Sequence, residues 1–181
     1  LPAGALLTLG PFALSFMTAF KSPQQFASEP SLNPPNPVTL ENFTTLFSGD
    51  YSFISPIAVT AQVVAVILVG QLVFSIMAAY AFAKLRFAGR DALFWVYLAT
   101  LMIPQVVIVI PLYVMMVQTG LRNTFWALVL PFVFGSPYAV FLLREHFRSI
   151  PDDLIDAARI DGAGDWRILW QIVAPMSRGI I

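Results

Sequence analysis

The sequence predicts an all-α integral membrane protein, and three observations carry that prediction. Hydrophobic residues make up 58% of the 181 and charged ones only 11%, against about 45–50% and about 25% in a soluble domain. The apolar residues fall in long runs, and a spanning helix needs roughly 20 of them. The basic residues are gathered in alternate connections between those runs. The chain begins and ends within apolar stretches, so the bundle is expected to be incomplete at both ends.

Residues 1–20 form the first apolar stretch and are expected to be the first transmembrane helix. A secretory signal is the alternative, but its apolar core spans only about 7–15 residues, which favours a retained helix. Residues 21–55 are a loop rich in proline: Pro23, Pro30, Pro34, Pro35 and Pro37. Within it Thr39 is placed to cap a short helix. Phe43, Leu46 and Phe47 then share one face, which would lie on the membrane surface or meet an external partner.

Residues 56–83 are the longest apolar run. Gly70 and the small-xxx-small series Ser75, Ala79, Ala83 allow close backbone approach, so this helix is expected to pack against protein. Residues 92–117 form the third stretch, interrupted by Pro104 and Pro111. Residues 124–143 form the fourth, interrupted by Pro131, Gly135 and Pro137. Such breaks survive in a membrane where neighbouring helices or cavity water satisfy the freed backbone groups. Residues 176–181 read as the opening of a fifth stretch.

The charges orient these spans. Loop 21–55 carries Lys21 against Glu29, Glu41 and Asp50, and the 118–123 connection carries only Arg122. The other eight of the ten Lys and Arg lie in two connections and beside the last stretch: Lys84, Arg86 and Arg90, then Arg144, Arg148, Arg159, Arg167 and Arg178. The positive-inside rule makes that side cytoplasmic and loop 21–55 external. Lys+Arg and Asp+Glu balance at 10 each, which gives no basic field for nucleic acid.

The segment 149–175 is the most informative. Ser149 and Asp152 have the spacing of a capping box, and Pro151 suits a first helical turn. Asp152 and Asp153 complement the positive end of a helix dipole. Pro151, Leu154, Ile155 and Ala158 line up as one apolar face, and Gly162 is placed to end the helix with positive φ. Asp165 then suits the cap of a second helix, on which Trp166, Leu169, Trp170 and Val173 share a face. Two short helices joined by a glycine turn serve equally as an interfacial anchor or as a docking knob.

This segment resembles the EAA loop of ABC importer permeases: Glu-Ala-Ala, three residues, Gly, nine residues, Ile-x-Leu-Pro. Here it reads Asp156-Ala157-Ala158, Gly162 and Ile172-Val173-Ala174-Pro175. Asp replaces Glu, which shortens the reach by one methylene, and Ala replaces Leu, which loses apolar contact. Leu40-Glu41-Asn42-Phe43, Ala79-Tyr80-Ala81-Phe82-Ala83, Ile110-Pro111-Leu112-Tyr113, Gly120-Leu121-Arg122-Asn123-Thr124, Phe141-Leu142-Leu143-Arg144 and Ser149-Ile150-Pro151 are similar, in order, to the carbohydrate-uptake branch. They look most like the shorter permease of maltose and glycerol-3-phosphate importers.

The resemblance implies a type I importer permease, or MetI-like, helical bundle over residues 56–181. It implies a sugar or sugar derivative as solute, and a bacterial cytoplasmic (inner) membrane with a cytoplasmic EAA loop. It implies as partners an ATP-binding subunit dimer, a second permease in a heterodimer and an external solute-binding protein. The chain itself would be no enzyme and hold no cofactor, with ATP and Mg on the ATPase subunit. Asp152, Asp153, Asp156, Ala157, Ala158, Asp161, Gly162 and Ala163 would couple to that ATPase.

Gln62, Gln71, Ser75, Tyr80 and Gln105 are polar groups in apolar helices, which pair with other helices or line a translocation path. No acid or base lies deep in a span, which argues against a proton-coupled carrier. An intramembrane enzyme would need a nucleophile, a metal cluster or paired carboxylates, and the chain has one His, His146, and no Cys. The Asp152–Asp165 acids suit helix ends and solvent better than a cation. No Gly-rich phosphate loop with Lys is present. Another small solute, or a non-ABC channel or structural protein, are the rival readings.

Overall fold

The computed structural model describes every residue except Leu1, Ser31 and residues 49–51, so Leu1 of the first expected span and Asp50 of the external loop lie outside it. All described regular elements are helical. The chain divides into two compact units, residues 1–60 and residues 61–181.

In the first unit α1 spans Pro2–Ala19, with Pro11 inside it. Its end is closed by Asn42, whose side-chain amide donates to the Ala19 (2.9 Å) and Lys21 (2.8 Å) carbonyls. The proline-rich connection, with short helix α2 (Pro23–Ser28), folds around buried Gln25. Gln25 donates to Glu29 and to the Pro34 carbonyl and accepts from the Asn36 N–H, so one amide ties down three points of the loop. The expected external helix is α3, Glu41–Ser48. Thr39 accepts from the Glu41 N–H at 3.1 Å, in the region anticipated for the cap. Of the expected face, Phe43 stacks on Phe20 at 5.4 Å, whereas Phe47 is exposed.

α4 runs Ile54–Lys84, 31 residues, and matches the longest apolar run. At 1.5 Å per residue it is about 46 Å long, more than the ~30 Å hydrocarbon layer requires. It is long and apolar enough to cross a membrane by itself.

The third stretch departs from a continuous span. α5 (Arg90–Ala99) ends in a 3₁₀ turn, Thr100–Met102, and α6 (Gln105–Gln118) leaves at 99° to it. Pro104 makes the corner, because its missing N–H and the restricted residue before it end a helix. Pro111, expected to interrupt the helix as well, lies inside α6 without breaking it. The fourth stretch is also divided, into α7 (Phe125–Val129) and α8 (Pro137–Ser149). Pro137 starts α8 at its first turn, the position where proline costs least. Two backbone groups freed by this break find side-chain partners: Ser136 N–H donates to Ser75 Oγ at 3.2 Å, and Tyr97 O–H donates to the Gly135 carbonyl.

Small residues on α4 make this possible. A Cβ on Gly70 would lie 2.3 Å from Val133 Cγ2, and one on Gly135 would lie 3.0 Å from the Ser75 nitrogen. Ser75 and Ala79 are buried, as the small-xxx-small spacing predicts. The core of the second unit lies toward the Lys84 end of α4. There Ile76, Ala79, Tyr80 and Phe82 meet Phe94 of α5, Val140, Leu143 and Phe147 of α8, and the 150–173 segment. Residues 176–181 do not continue as a helix: the last helical residue is Met176 and a turn follows.

Candidate functional site

The 149–175 segment begins where α8 stops. Ser149 Oγ donates back to the His146 carbonyl at 2.7 Å, so it closes α8 and does not form the expected capping box. Helix α9 spans Asp152–Ile160, and Pro151 sits before its first turn, at the N-cap, without a side-chain cap. Lys84 supplies the missing tie. Its ammonium donates to the Ile150 carbonyl at 2.7 Å and to Asp152 Oδ1 at 2.6 Å. The Lys84 side chain is 5% exposed and that of Asp152 80%. The hydrogen bond and charge of Lys84 hold the Asp152 carboxyl below the usual carboxylate range.

α9 ends as predicted, at Gly162 with φ +81°. Ala163 N–H donates to the Ala158 carbonyl (2.9 Å) and Gly162 N–H to the Arg159 carbonyl (3.0 Å), the paired bonds of a Schellman motif. The next helix, α10 (Asp165–Ile168), is not capped by Asp165. That carboxylate instead accepts from Tyr80 O–H (3.2 Å) and from Arg159 (2.9 Å), which joins α4, α9 and α10 at one oxygen. Bonding to Asp165 raises the Arg159 pKa further. α10 widens into a π-helical turn, Leu169–Val173, before α11 (Ala174–Met176). The wider turn changes the buried set: Ile168, Leu169 and Val173 point inward, and Trp166, expected on that face, is exposed. Trp170 keeps a buried Nε1 with no acceptor.

The two faces of α9 are thereby sorted. Ile155 and Ala158 enter the core with Ile150, while Leu154 and Pro151, expected beside them, face out. The free face carries Asp153, Asp156, Ala157, Ile160 and Asp161, spaced as neighbours on a helix surface. Gly162 continues it, Ala163 is half-buried, and Ile160 is 87% exposed. Of the eight expected coupling residues, Asp153, Asp156, Ala157, Asp161 and Gly162 therefore share an open surface. Asp152 is a tether and Ala158 belongs to the core. Sequence reasoning missed Ile160, although its i+4 spacing from Asp156 puts it on that face. It also missed Lys84 and Arg144. Arg144 is buried, stacks on Phe94 (3.9 Å to the ring centre) and bonds Glu145 (2.7 Å).

The five expected path residues are dispersed. Gln71 and Ser75 line an open cleft of ≈ 240 Å³ with Leu68, Leu72, Tyr138 and Leu142. Gln62 and Gln105 are exposed on α4 and at the start of α6. The Ser75 and Tyr80 hydroxyls are engaged within the chain. Among the described residues no group of three or more His, Cys, Asp or Glu is arranged to hold a metal.

A helical membrane chain carrying a folded, acid-faced loop at one end of its longest apolar helix has the build of a transporter's membrane component. Comparison with known families gives the particular class: the chain belongs to the family "binding-protein-dependent transport system inner membrane component", which it matches over residues 71–181. It is 35% identical over 179 residues to the diacetylchitobiose uptake system permease protein NgcG of Streptomyces coelicolor, covering 96% of this chain and 57% of that protein. It is 34% identical over 188 residues to the sn-glycerol-3-phosphate transport system permease protein UgpE of Yersinia pestis, covering 97% and 64%. It is 33% identical over 181 residues to the UgpE protein of Rhizobium meliloti, with the same coverage of 97% and 64%. The chain thus spans 57% to 64% of the length of these curated relatives.

Proposed function

We propose that this chain is part of a permease subunit of an ATP-driven importer for a sugar or sugar derivative, and that α9 docks on a separate ATP-binding subunit. The observation that carries the docking reading is the open face of α9. Three carboxylates and an exposed Ile160 stand on a helix whose other face is packed and whose ends are both tied. An exposed apolar side chain ringed by charge suits a partner cleft lined with basic groups. ATP and Mg belong to that partner, which does the hydrolysis. The sugar-class solute is supported by the relatives, whose names specify diacetylchitobiose and glycerol-3-phosphate.

The rest of the assembly follows from the same reading. Residues 1–20 cross the bacterial inner membrane, 21–55 face outward toward a solute-binding protein, and 149–175 face the cytoplasm. A second permease faces the apolar surfaces of α4 and α6. Gln71 and Ser75 border the translocation path. The test is to express the complete protein with its neighbouring transporter genes and purify it in detergent. An Ala157→Cys variant is expected to cross-link to a co-purifying ATPase, and labelled saccharide uptake is expected to require both. Absence of any ATPase in the purified complex would remove the docking reading.

A further inference from the structure

Tyr80 and Lys84 are one helical turn apart on α4 and face the same side. Between them they hold both ends of α9. Lys84 reaches the start through the Ile150 carbonyl (2.7 Å) and Asp152 (2.6 Å). Tyr80 reaches the far end through Asp165 (3.2 Å), which also holds Arg159 of α9 (2.9 Å). Beside these ties Ile76 and Ala79 of α4 share a core with Ile155 and Ala158. An exposed ion pair contributes little, but here the Lys84 side chain is 5% exposed and its ammonium serves a main-chain carbonyl too. The chain itself joins α9 to α8 and α10, so contact with α4 is additional to what connectivity demands.

We propose that Tyr80 and Lys84 are positioning residues that clamp the docking loop to α4, so that the loop and the lower half of α4 move as one body during the transport cycle. This rests on the docking reading above. Force applied to α9 by a partner would then pass to the long helix through two fixed points, and loss of either point would let the loop pivot. ATP would still be hydrolysed, but less of the motion would reach the spans.

The experiment uses the complete transporter in proteoliposomes and reads solute moved per ATP hydrolysed. Tyr80→Phe removes one oxygen, Lys84→Met removes one charge, and Lys84→Cys with Asp152→Cys replaces the tie by a cross-linkable pair. The chain has no native cysteine, so a short bis-maleimide has one target pair on it. Each variant is expected to assemble with the ATPase as wild type does and to lose about fivefold or more in transport per ATP, the low end of a coupling between two sites. Cross-linking the cysteine pair is expected to restore the ratio. Wild-type coupling in Tyr80→Phe and Lys84→Met, or a cross-linked pair that hydrolyses ATP yet stays uncoupled, overturns the clamp. So does loss of assembly in Tyr80→Phe, because the hydroxyl then serves folding. A wild-type complex without ATPase sinks the docking reading instead.

Discussion

Gly162 and Gly70 show two different reasons for glycine. Gly162 has φ +81° and open space where a Cβ would go, so the obstacle to substitution is conformational. A β-branched residue there costs about 1–2 kcal/mol of backbone strain, and asparagine less, since it tolerates this region. Gly162→Val is therefore expected to uncouple ATP hydrolysis from uptake, with Gly162→Asn milder, as read by uptake per ATP in vesicles. Lys84 and Asp152 set a pH expectation. A folded pKa held below the unfolded value stabilises the fold above about pH 3.9 and is lost as pH falls through the lowered value. Coupling should thus be flat across the neutral range as far as this pair is concerned, and Asp152→Asn should lower it equally at each pH tested. Arg144 is buried over the Phe94 ring, and its fork bonds Glu145. Arg144→Lys keeps the charge but loses the planar stack, at about 1 kcal/mol, measurable as a lower melting temperature of the detergent-solubilised protein.

At the scale of elements, close approach between α4 and the 130–136 break is the most demanding contact. A Cβ at Gly70 meets both the Val133 side chain and, at 2.8 Å, its carbonyl oxygen. Overpacking of this kind costs about 1–3 kcal/mol. Gly70→Ala should lower thermal stability, whereas Gly10→Ala, with nothing within 4 Å, should not. The sequence revealed the long helix, the short helix α3 and the Gly162 turn, because each has a local cause: apolar length, spacing or backbone freedom. It misassigned Ser149, because a hydroxyl at a helix end can bond back into the turn behind it as readily as cap the next helix, and Asp165, because its carboxylate meets a distant helix. Tyr80 could not be placed beside Asp165 by spacing alone. Likewise 3.6-residue periodicity could not foresee the π-helical turn that exposes Trp166. Pro104 and Pro111 look alike in sequence, but only Pro104 coincides with the 99° corner.

At the scale of the whole molecule, exposed apolar side chains dominate α4 and α6, among them Leu68, Val69, Val106 and Ile110. Uncovered in water, such surface would drive aggregation, so lipid and partner subunits are its expected cover. Eight of the ten basic residues fall in two connections and beside the last apolar stretch, which makes the proposed orientation testable. Single cysteines at Thr44 and Arg86 should be labelled from opposite sides of the membrane by an impermeant maleimide: Thr44→Cys in intact spheroplasts, Arg86→Cys only after lysis. Labelling of Arg86→Cys from outside and of Thr44→Cys only after lysis would reverse the topology, and labelling of both from outside would refute a crossing between them.

The π-helical turn at Leu169–Val173 makes the interval from Gly162 to Pro175 an angular gauge as well as a length. Each helical residue turns the chain by about 100°. A π turn holds one residue more than an α turn, so it takes up that residue while the helix on either side stays near register; inserting a further residue there would exceed this allowance and swing α9 by about 100° around the helix axis. The acidic face would then be aimed away from the proposed partner with every side chain intact. Tolerance of conservative apolar replacement together with intolerance to insertion in residues 169–173 is the pattern such a gauge leaves in a mutational scan.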